Sequence, residues 1–551
     1  MVKNNQSREE INTILTFMKD LEARVAKLES RLKSGSTEEP ETALHPLIPA
    51  NLNEMTSNLE LRIGQFWFAK TGIVILALGI VFLLTFPYKS LPPILPSVIG
   101  YMLVAVILSL SYLWRKSISF LSSYLLGGGL ILLYFATLRL HYFSLNSVVG
   151  NKSILIILLL STVFISYYSA VRRKSSYFAA LATTLGGITV IISDQTYVIF
   201  ILLIIISSLV VYLKLKYQWN GLMIYGLIMI YLLHFLWFIN NPFMGRPPQL
   251  ITFPQANLYF IFLYMVIFMS ANLLRNKGVP ENTFLISNTF INCFAGYGLF
   301  LLISLTRFQS HLFMLHLAAS ILFLLFSISF WVHEKSKYST FFYAILGYTA
   351  LSVAIIAQFK IPQSLIWLCW QSLLVVSTAL WFRSKIIVLF NFIIFIIIFL
   401  GFLLLAKDIG MESLSFGVVA LVSARVMNWQ KHRLELKTEF MRNSYLATAF
   451  IMIPYAFYHI VPTGYIGLSW VGIALFYYLL SVILKNVKYR WMALLTLLLT
   501  VLYILIIGIA RLDPVYRIVS FMVLGIVLLI ISIAYTKMKI KKDSKEVESR
   551  E

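Results

Sequence analysis

The chain has 551 residues, of which 60% are hydrophobic and 12% charged, with a formal charge of +23. Soluble domains carry about a quarter charged residues, so this composition excludes an ordinary soluble enzyme or binding module. The positive balance does not point to nucleic acid: the Lys and Arg residues sit at the ends of apolar runs and form no continuous patch.

The first element is the segment 1–33. Ile11, Ile14, Met18, Leu21, Val25, Leu28 and Leu32 recur at 3-4 spacing, the a/d seam of a short coiled coil. A lone helix of this length is marginal in water. The seam therefore implies a homo-oligomer, a partner protein, or docking on the chain's own loops, with the a and d residues favouring a parallel dimer. Residues 34–57 hold four Glu and no Lys or Arg. They read as a flexible acidic linker, spanning roughly 25–30 Å as a random coil. No apolar signal-peptide core precedes residue 60, so the first span is expected to do the targeting.

From 58 to 536 the chain is a series of apolar runs of about 17–25 residues, the length that crosses roughly 30 Å of hydrocarbon. In lipid such runs are helices or closed barrels. Barrel strands alternate apolar and polar residues, whereas 386–406 is apolar on all sides. The expected fold is thus all-α, a polytopic transmembrane helical bundle of about 18 spans. They fall near 66–86, 94–113, 118–138, 153–171, 177–193, 197–213, 220–239, 256–274 and 283–305. The rest fall near 311–332, 340–357, 364–382, 386–406, 411–429, 444–461, 465–484, 490–510 and 514–536. Residues 537–551 form a charged tail.

Orientation follows from the positive-inside rule. Loops after even-numbered spans hold 20 Lys and Arg, among them Arg172, Arg173, Lys174, Arg383, Lys385, Arg442, Lys485, Lys488 and Arg490; loops after odd-numbered spans hold nine. The alternation never breaks, which places both termini on the cytoplasmic side of the membrane, with the lipid bilayer as the chain's first partner.

Groups able to do chemistry are sparse. Between 61 and 536 the acidic residues are Asp194, Glu281, Glu334, Asp408, Glu412, Glu435, Glu439 and Asp513, all in loops or at span ends. Coupled transporters usually rely on an ionisable group inside the membrane, so proton relay by carboxylates is disfavoured. The loop 87–93 has no acidic residue, unlike the first external loop of polytopic glycosyltransferases, and no nucleotide-binding or hydrolase motif occurs. Enzyme activity is therefore disfavoured, and no catalytic residue, metal or cofactor is expected. Cys293 and Cys369 lie inside spans and form neither a disulfide framework nor a metal site.

Four features remain. His141, His234, His311, His316 and His459 fall in the outer half, where water or carbonyls would satisfy them. The tandem glycines Gly127, Gly128 and Gly129, and Gly186 and Gly187, suit close helix packing, or a helix break that exposes backbone for binding. Arg425 and Arg517, the latter beside Arg511 and Asp513, sit near span ends and can snorkel to the headgroups. The loop 240–255 carries four prolines, as expected of a rigid or re-entrant cap.

Several of these segments resemble a known group. Arg62-Ile63-Gly64, followed by Lys70-Thr71-Gly72-Ile73-Val74-Ile75-Leu76 and Ala77-Leu78-Gly79, looks like the first span of a bacterial family of predicted membrane proteins. That family is catalogued as domain of unknown function twenty-three thirty-nine. Leu126-Gly127-Gly128-Gly129 with Tyr134 resembles its third span, and Leu185-Gly186-Gly187 its fifth. Tyr489-Arg490-Trp491 and Val515-Tyr516-Arg517-Ile518-Val519-Ser520-Phe521 are similar to its closing signature. Tyr503 and Gly508 depart from the pattern, which often has a Lys and then an Asp there. The resemblance covers most of the chain and implies a class, with no established reaction. Together these features favour a transporter or flippase for an amphipathic or cell-envelope-related molecule, with a membrane scaffold acting through the coiled coil as the alternative.

Overall fold

A computed structural model describes residues 68–88, 92–143, 146–251, 253–254, 256–274, 281–407, 409–429, 438–508, 515–516, 518–527, 529–530 and 533. The coiled-coil seam, the linker and the tail lie outside the described residues, as do Arg511, Asp513 and Arg517. The described residues form helices and their connections, with no strand among them.

The helices are α1 (Phe68–Thr85), α2 (Leu95–Leu113), α3 (Ser119–Arg139), α4 (Lys152–Arg173), α5 (Ser176–Ser193) and α6 (Thr196–Tyr217). Next come α7 (Asn220–Phe238), α8 (Asn257–Leu273), α9 (Thr283–Arg307), α10 (Leu312–Ser329), α11 (Lys337–Gln358) and α12 (Gln363–Trp381). The last are α13 (Lys385–Leu405), α14 (Leu414–Trp429), α15 (Glu439–Ile460), α16 (Ile466–Leu484), α17 (Val487–Tyr503) and the short α18 (Ile518–Val527). Each expected run contains one of them. Thirteen of the helices searched are long and apolar enough to cross a membrane, so the fold is that of a multi-pass membrane protein. The largest displacement of a helix start is at α15, which begins at Glu439 where hydropathy starts it near 444. Its first turn carries Glu439 and Arg442, which an apolar window rejects and a helix emerging from the hydrocarbon tolerates.

Local chemistry sets the ends. Side-chain oxygens of Asn151, Asn282, Ser336, Ser384 and Asn486 accept from backbone N–H groups in the first turns of α4, α9, α11, α13 and α17, satisfying donors that the helix leaves open. After α4, α6, α10, α12 and α16 the chain reverses through a residue at positive φ, respectively Lys174, Gln218, Lys335, Arg383 and Lys485. Four of these five carry a long cationic side chain at a helix C-terminus, where the helix dipole favours positive charge.

Helices that pack extensively are one or two places apart in the chain: α2 with α3, α4 with α5, α10 with α11, α12 with α13, α14 with α15, α16 with α17, and also α6 with α8, α7 with α9 and α12 with α14. Buried apolar side chains gather in two cores, one running from α3 to α11 and one from α11 to α18. Helix α11 serves both: Tyr343, Leu346 and Ala350 face the first core, Ala344 and Tyr348 the second. The outward faces are apolar too. On α13, Ile386, Phe390, Ile394, Ile397 and Leu404 are exposed, Leu404 at 84%, while Asn391 and Phe395 are buried. A surface of that kind is one that lipid or another apolar surface covers.

Candidate functional site

The glycines singled out in the sequence sit in unbroken helix. A Cβ on Gly129 would meet Leu108 of α2 at 2.6 Å. One on Gly186 would meet Ile206 of α6 at 3.1 Å, and one on Gly187 would meet Met229 of α7 at 2.6 Å. These three mark close helix crossings, whereas a Cβ on Gly127 would make only an ordinary contact with Phe178 at 3.4 Å, and Gly128 is half-buried. Lys70 falls in the first turn of α1, and its side chain is outside the described residues. Among the described acidic residues, Asp194 ends α5, Glu281 precedes α9, Glu412 lies in a short turn before α14 and Glu439 opens α15.

The proline-rich loop folds back over helix ends. Arg246 pairs with Asp194 at 2.6 Å, Asn241 Nδ2 donates to Asp194 Oδ1 and the Ile191 carbonyl, and Arg307 Nη2 donates to the Leu250 carbonyl. Arg139, expected only as a loop cation, is fully buried: Nη1 donates to the carbonyls of Leu84 and Phe86 at the end of α1, and the guanidinium lies over the Tyr88 ring. It thus satisfies carbonyls that the end of α1 leaves open.

The first core is laced with uncharged polar side chains. Asn288, Asn292 and Gly296 lie on one face of α9 at four-residue spacing. Asn292 joins four helices: it accepts from the Tyr231 hydroxyl of α7 at 2.7 Å and donates to the Met265 carbonyl of α8 at 3.0 Å and to Tyr343 Oη of α11 at 3.2 Å. A neighbouring layer runs Asn272–Thr289–Ser339 across α8, α9 and α11.

His141, His234, His311, His316 and His459 lie on separate elements, and no metal-binding cluster occurs among the described residues. His316 lies between Tyr297 Oη and Ser304 Oγ at 3.1 and 2.9 Å. His234 departs from the expectation that water or carbonyls satisfy it. It is completely buried, stacked on Phe200 with ring centroids 5.0 Å apart, and neither ring nitrogen has a partner.

Two grooves border the second core. The groove between α11, α12 and α13, about 550 Å³, has apolar walls and a polar floor of Tyr348, Ser352, Gln371, Ser372 and Asn391. Gln371 Nε2 donates to the Tyr348 carbonyl at 2.8 Å and Ser352 Oγ at 2.9 Å. Asn391 Nδ2 donates to Ser372 Oγ at 2.9 Å and to its carbonyl at 3.2 Å. At 1.5 Å rise per residue, Asn391, Tyr348 and Ser352 stand roughly 9, 16 and 22 Å from the starts of α13 and α11, a polar ladder through much of the span. No sequence motif marks this ladder. Its signal is the isolated Gln or Asn within an apolar run, and Asn391 is the only amide in 386–406.

The second groove, about 700 Å³, lies between α14 and α16 with Ile453 and Phe457 of α15 in its lining. Its lining is apolar apart from Ser469, Arg425 and Tyr489. Arg425 is exposed, one turn before the end of α14, with no hydrogen-bond or ion-pair partner among the described residues. Close by, Arg442 donates to Asn428 Oδ1 at 2.6 Å and lies 3.7 Å from Glu439, and Lys488 donates to Asn443 Oδ1 at 2.6 Å. Compared with known protein families, with curated proteins and with solved structures, the chain matches none, so the site stands on its own geometry.

Proposed function

We propose that this multi-pass protein moves an amphipathic, envelope-related molecule across its membrane, the headgroup following the polar ladder of the α11–α13 groove while the tails stay in lipid. The observation that carries this reading is the placement of Gln371, Ser352 and Asn391 together in the lining of a groove whose other walls are apolar. A headgroup in bare hydrocarbon loses its hydrogen bonds; these side chains offer replacements at successive depths. No carboxylate, histidine, lysine or arginine lines the described groove, which fits movement without proton coupling. The test is lipid-headgroup exchange in proteoliposomes, followed with leaflet-specific quenching of labelled phospholipids. Full-length protein is expected to accelerate exchange over empty vesicles, and Gln371→Leu to slow it at least tenfold. Equal rates in protein-containing and empty vesicles, for anionic and zwitterionic probes alike, would sink the reading.

The orientation carries over with this proposal: both termini face the cytoplasm of a bacterial inner membrane, and the chain is a relative of the family whose motifs it resembles. In a background lacking the native cysteines, a cysteine at Asn241 is expected to react with an impermeant thiol reagent from outside, and one at Ser175 is not. The reverse labelling would invert the topology.

The scaffold reading rests on the unbroken seam from Ile11 to Leu32. Placing Asp at both Leu21 and Leu28 puts unpaired carboxylates in that seam. It is expected to abolish cross-linking through a cysteine at Glu22 and to leave lipid exchange unchanged. Loss of exchange together with cross-linking would instead tie transport to assembly.

A further inference from the structure

The α14–α16 groove lies apart from the polar ladder, and the translocation reading makes no use of it. Along α14 it runs from Leu414 to Arg425 and along α16 from Ser469 to Leu484, roughly 16–22 Å at 1.5 Å per residue. One hydrocarbon leaflet is about 15 Å deep, so the groove matches an acyl chain lying along the helices. Gly472 holds the middle open: a Cβ built there meets nothing within 4 Å. By contrast, a Cβ on Gly417, against α15, would collide with Ile453.

Charge is confined to one end. Arg425 is the single charged residue in the lining, and it stands where α14 and α16 finish and α17 begins. Tyr489, also in the lining, lies within the electrostatic reach of both Arg425 and Arg442. Lys488 in turn lies within reach of Arg442 and Glu439. Arg490 sits beside them, its Nε donating to Ser481 Oγ at 3.3 Å. Arg425, Arg442 and Lys488 thus gather at this end, with Glu439 the one described carboxylate among them, 3.7 Å from Arg442. Arg442 and Lys488 are engaged with Asn428 and Asn443, whereas Arg425 has no hydrogen-bond or ion-pair partner among the described residues.

We propose that this groove is a binding site for an anionic phospholipid, with one acyl chain between α14 and α16 and the phosphate on Arg425. A guanidinium binds phosphate through paired N–H donors. A zwitterionic headgroup brings its own cation to the same place, where Arg425, Arg442 and Lys488 oppose it. A lipid held here stays bound whether or not any lipid crosses the membrane, so this site and the translocation reading fail separately.

The experiment uses the full-length protein in mild detergent, with retained lipid counted by native mass spectrometry after exposure to phosphatidylglycerol or phosphatidylcholine of identical chains. One charge-assisted contact corresponds to about a tenfold preference for phosphatidylglycerol. Arg425→Gln is expected to abolish that preference while leaving phosphatidylcholine retention unchanged. Arg383→Gln, a cation at the same end but outside the groove, is expected to keep it. Gly472→Leu fills the groove and is expected to lower retention of both lipids. A preference that survives Arg425→Gln would overturn the headgroup assignment. Competition by glycerol phosphate as strong as that by the lipid would make the site one for free phosphate. If Gly472→Leu alters self-association and leaves lipid retention intact, the groove is a protein interface and the assignment falls.

Discussion

The two cores on either side of α11 use polar side chains in opposite ways. In the first, Asn292, Tyr231 and Tyr343 are buried and satisfy one another, tying four helices together. In the second, Gln371, Ser352 and Asn391 also have protein partners, yet they floor a groove that opens outward. Polar groups sealed inside a membrane helix bundle act as links between helices, each worth about 0.6 kcal/mol and at most about 1.7. The same groups beside an opening can exchange those links for a ligand's. The first region therefore reads as framework and the second as the working surface, although both come from equally apolar sequence.

Removing the Asn292 amide is the sharpest way to break that contrast. Asn292→Ala strips partners from Tyr231, Tyr343 and the Met265 carbonyl and leaves a cavity among four helices. It is expected to destabilise the folded protein by about 2–4 kcal/mol in graded denaturant unfolding from micelles. Gln371→Ala, beside the open groove, should cost about 1 kcal/mol or less by the same assay, because lipid or water can occupy the space it vacates. Equal losses would erase the distinction between framework and working surface.

A smaller effect, of opposite sign, is expected at His234. Both of its ring nitrogens are buried without partners while its ring stacks on Phe200. His234→Phe keeps the ring packing and removes two unsatisfied polar atoms, so it should raise stability by about 1 kcal/mol. His316→Phe, which strips partners from Tyr297 and Ser304, should lower it. A loss at His234 matching that at His316 would mean that His234 has a partner in the membrane, and would make it a candidate for function.

The smallest stability change is expected at Arg425, whose exposed side chain makes no bond within the described protein. Arg425→Gln should leave the unfolding midpoint where it is, which separates its effect on lipid from any effect on folding.

The sequence alone determined where the described helices lie and their approximate ends; thirteen of those searched, against about eighteen expected spans, are long and apolar enough to cross a membrane. Hydrocarbon imposes a length and forbids unpaired backbone, and both constraints act on each segment independently of its neighbours. The capping residues Asn151, Asn282 and Ser384, and the cations in the reversals, are local in the same sense. What only the tertiary structure decided is which faces meet. In an all-apolar helix such as α13, hydropathy does not distinguish the side that faces lipid from the side that faces protein, so neither the groove beside Asn391 nor the burial of Arg139 was legible. Arg425 looked like any snorkelling cation at the end of a span. Its setting at the mouth of an apolar groove depends on where α15 and α16 pack, and that is fixed by side-chain fit across helices, such as Gly417 against Ile453, which one chain's pattern does not encode.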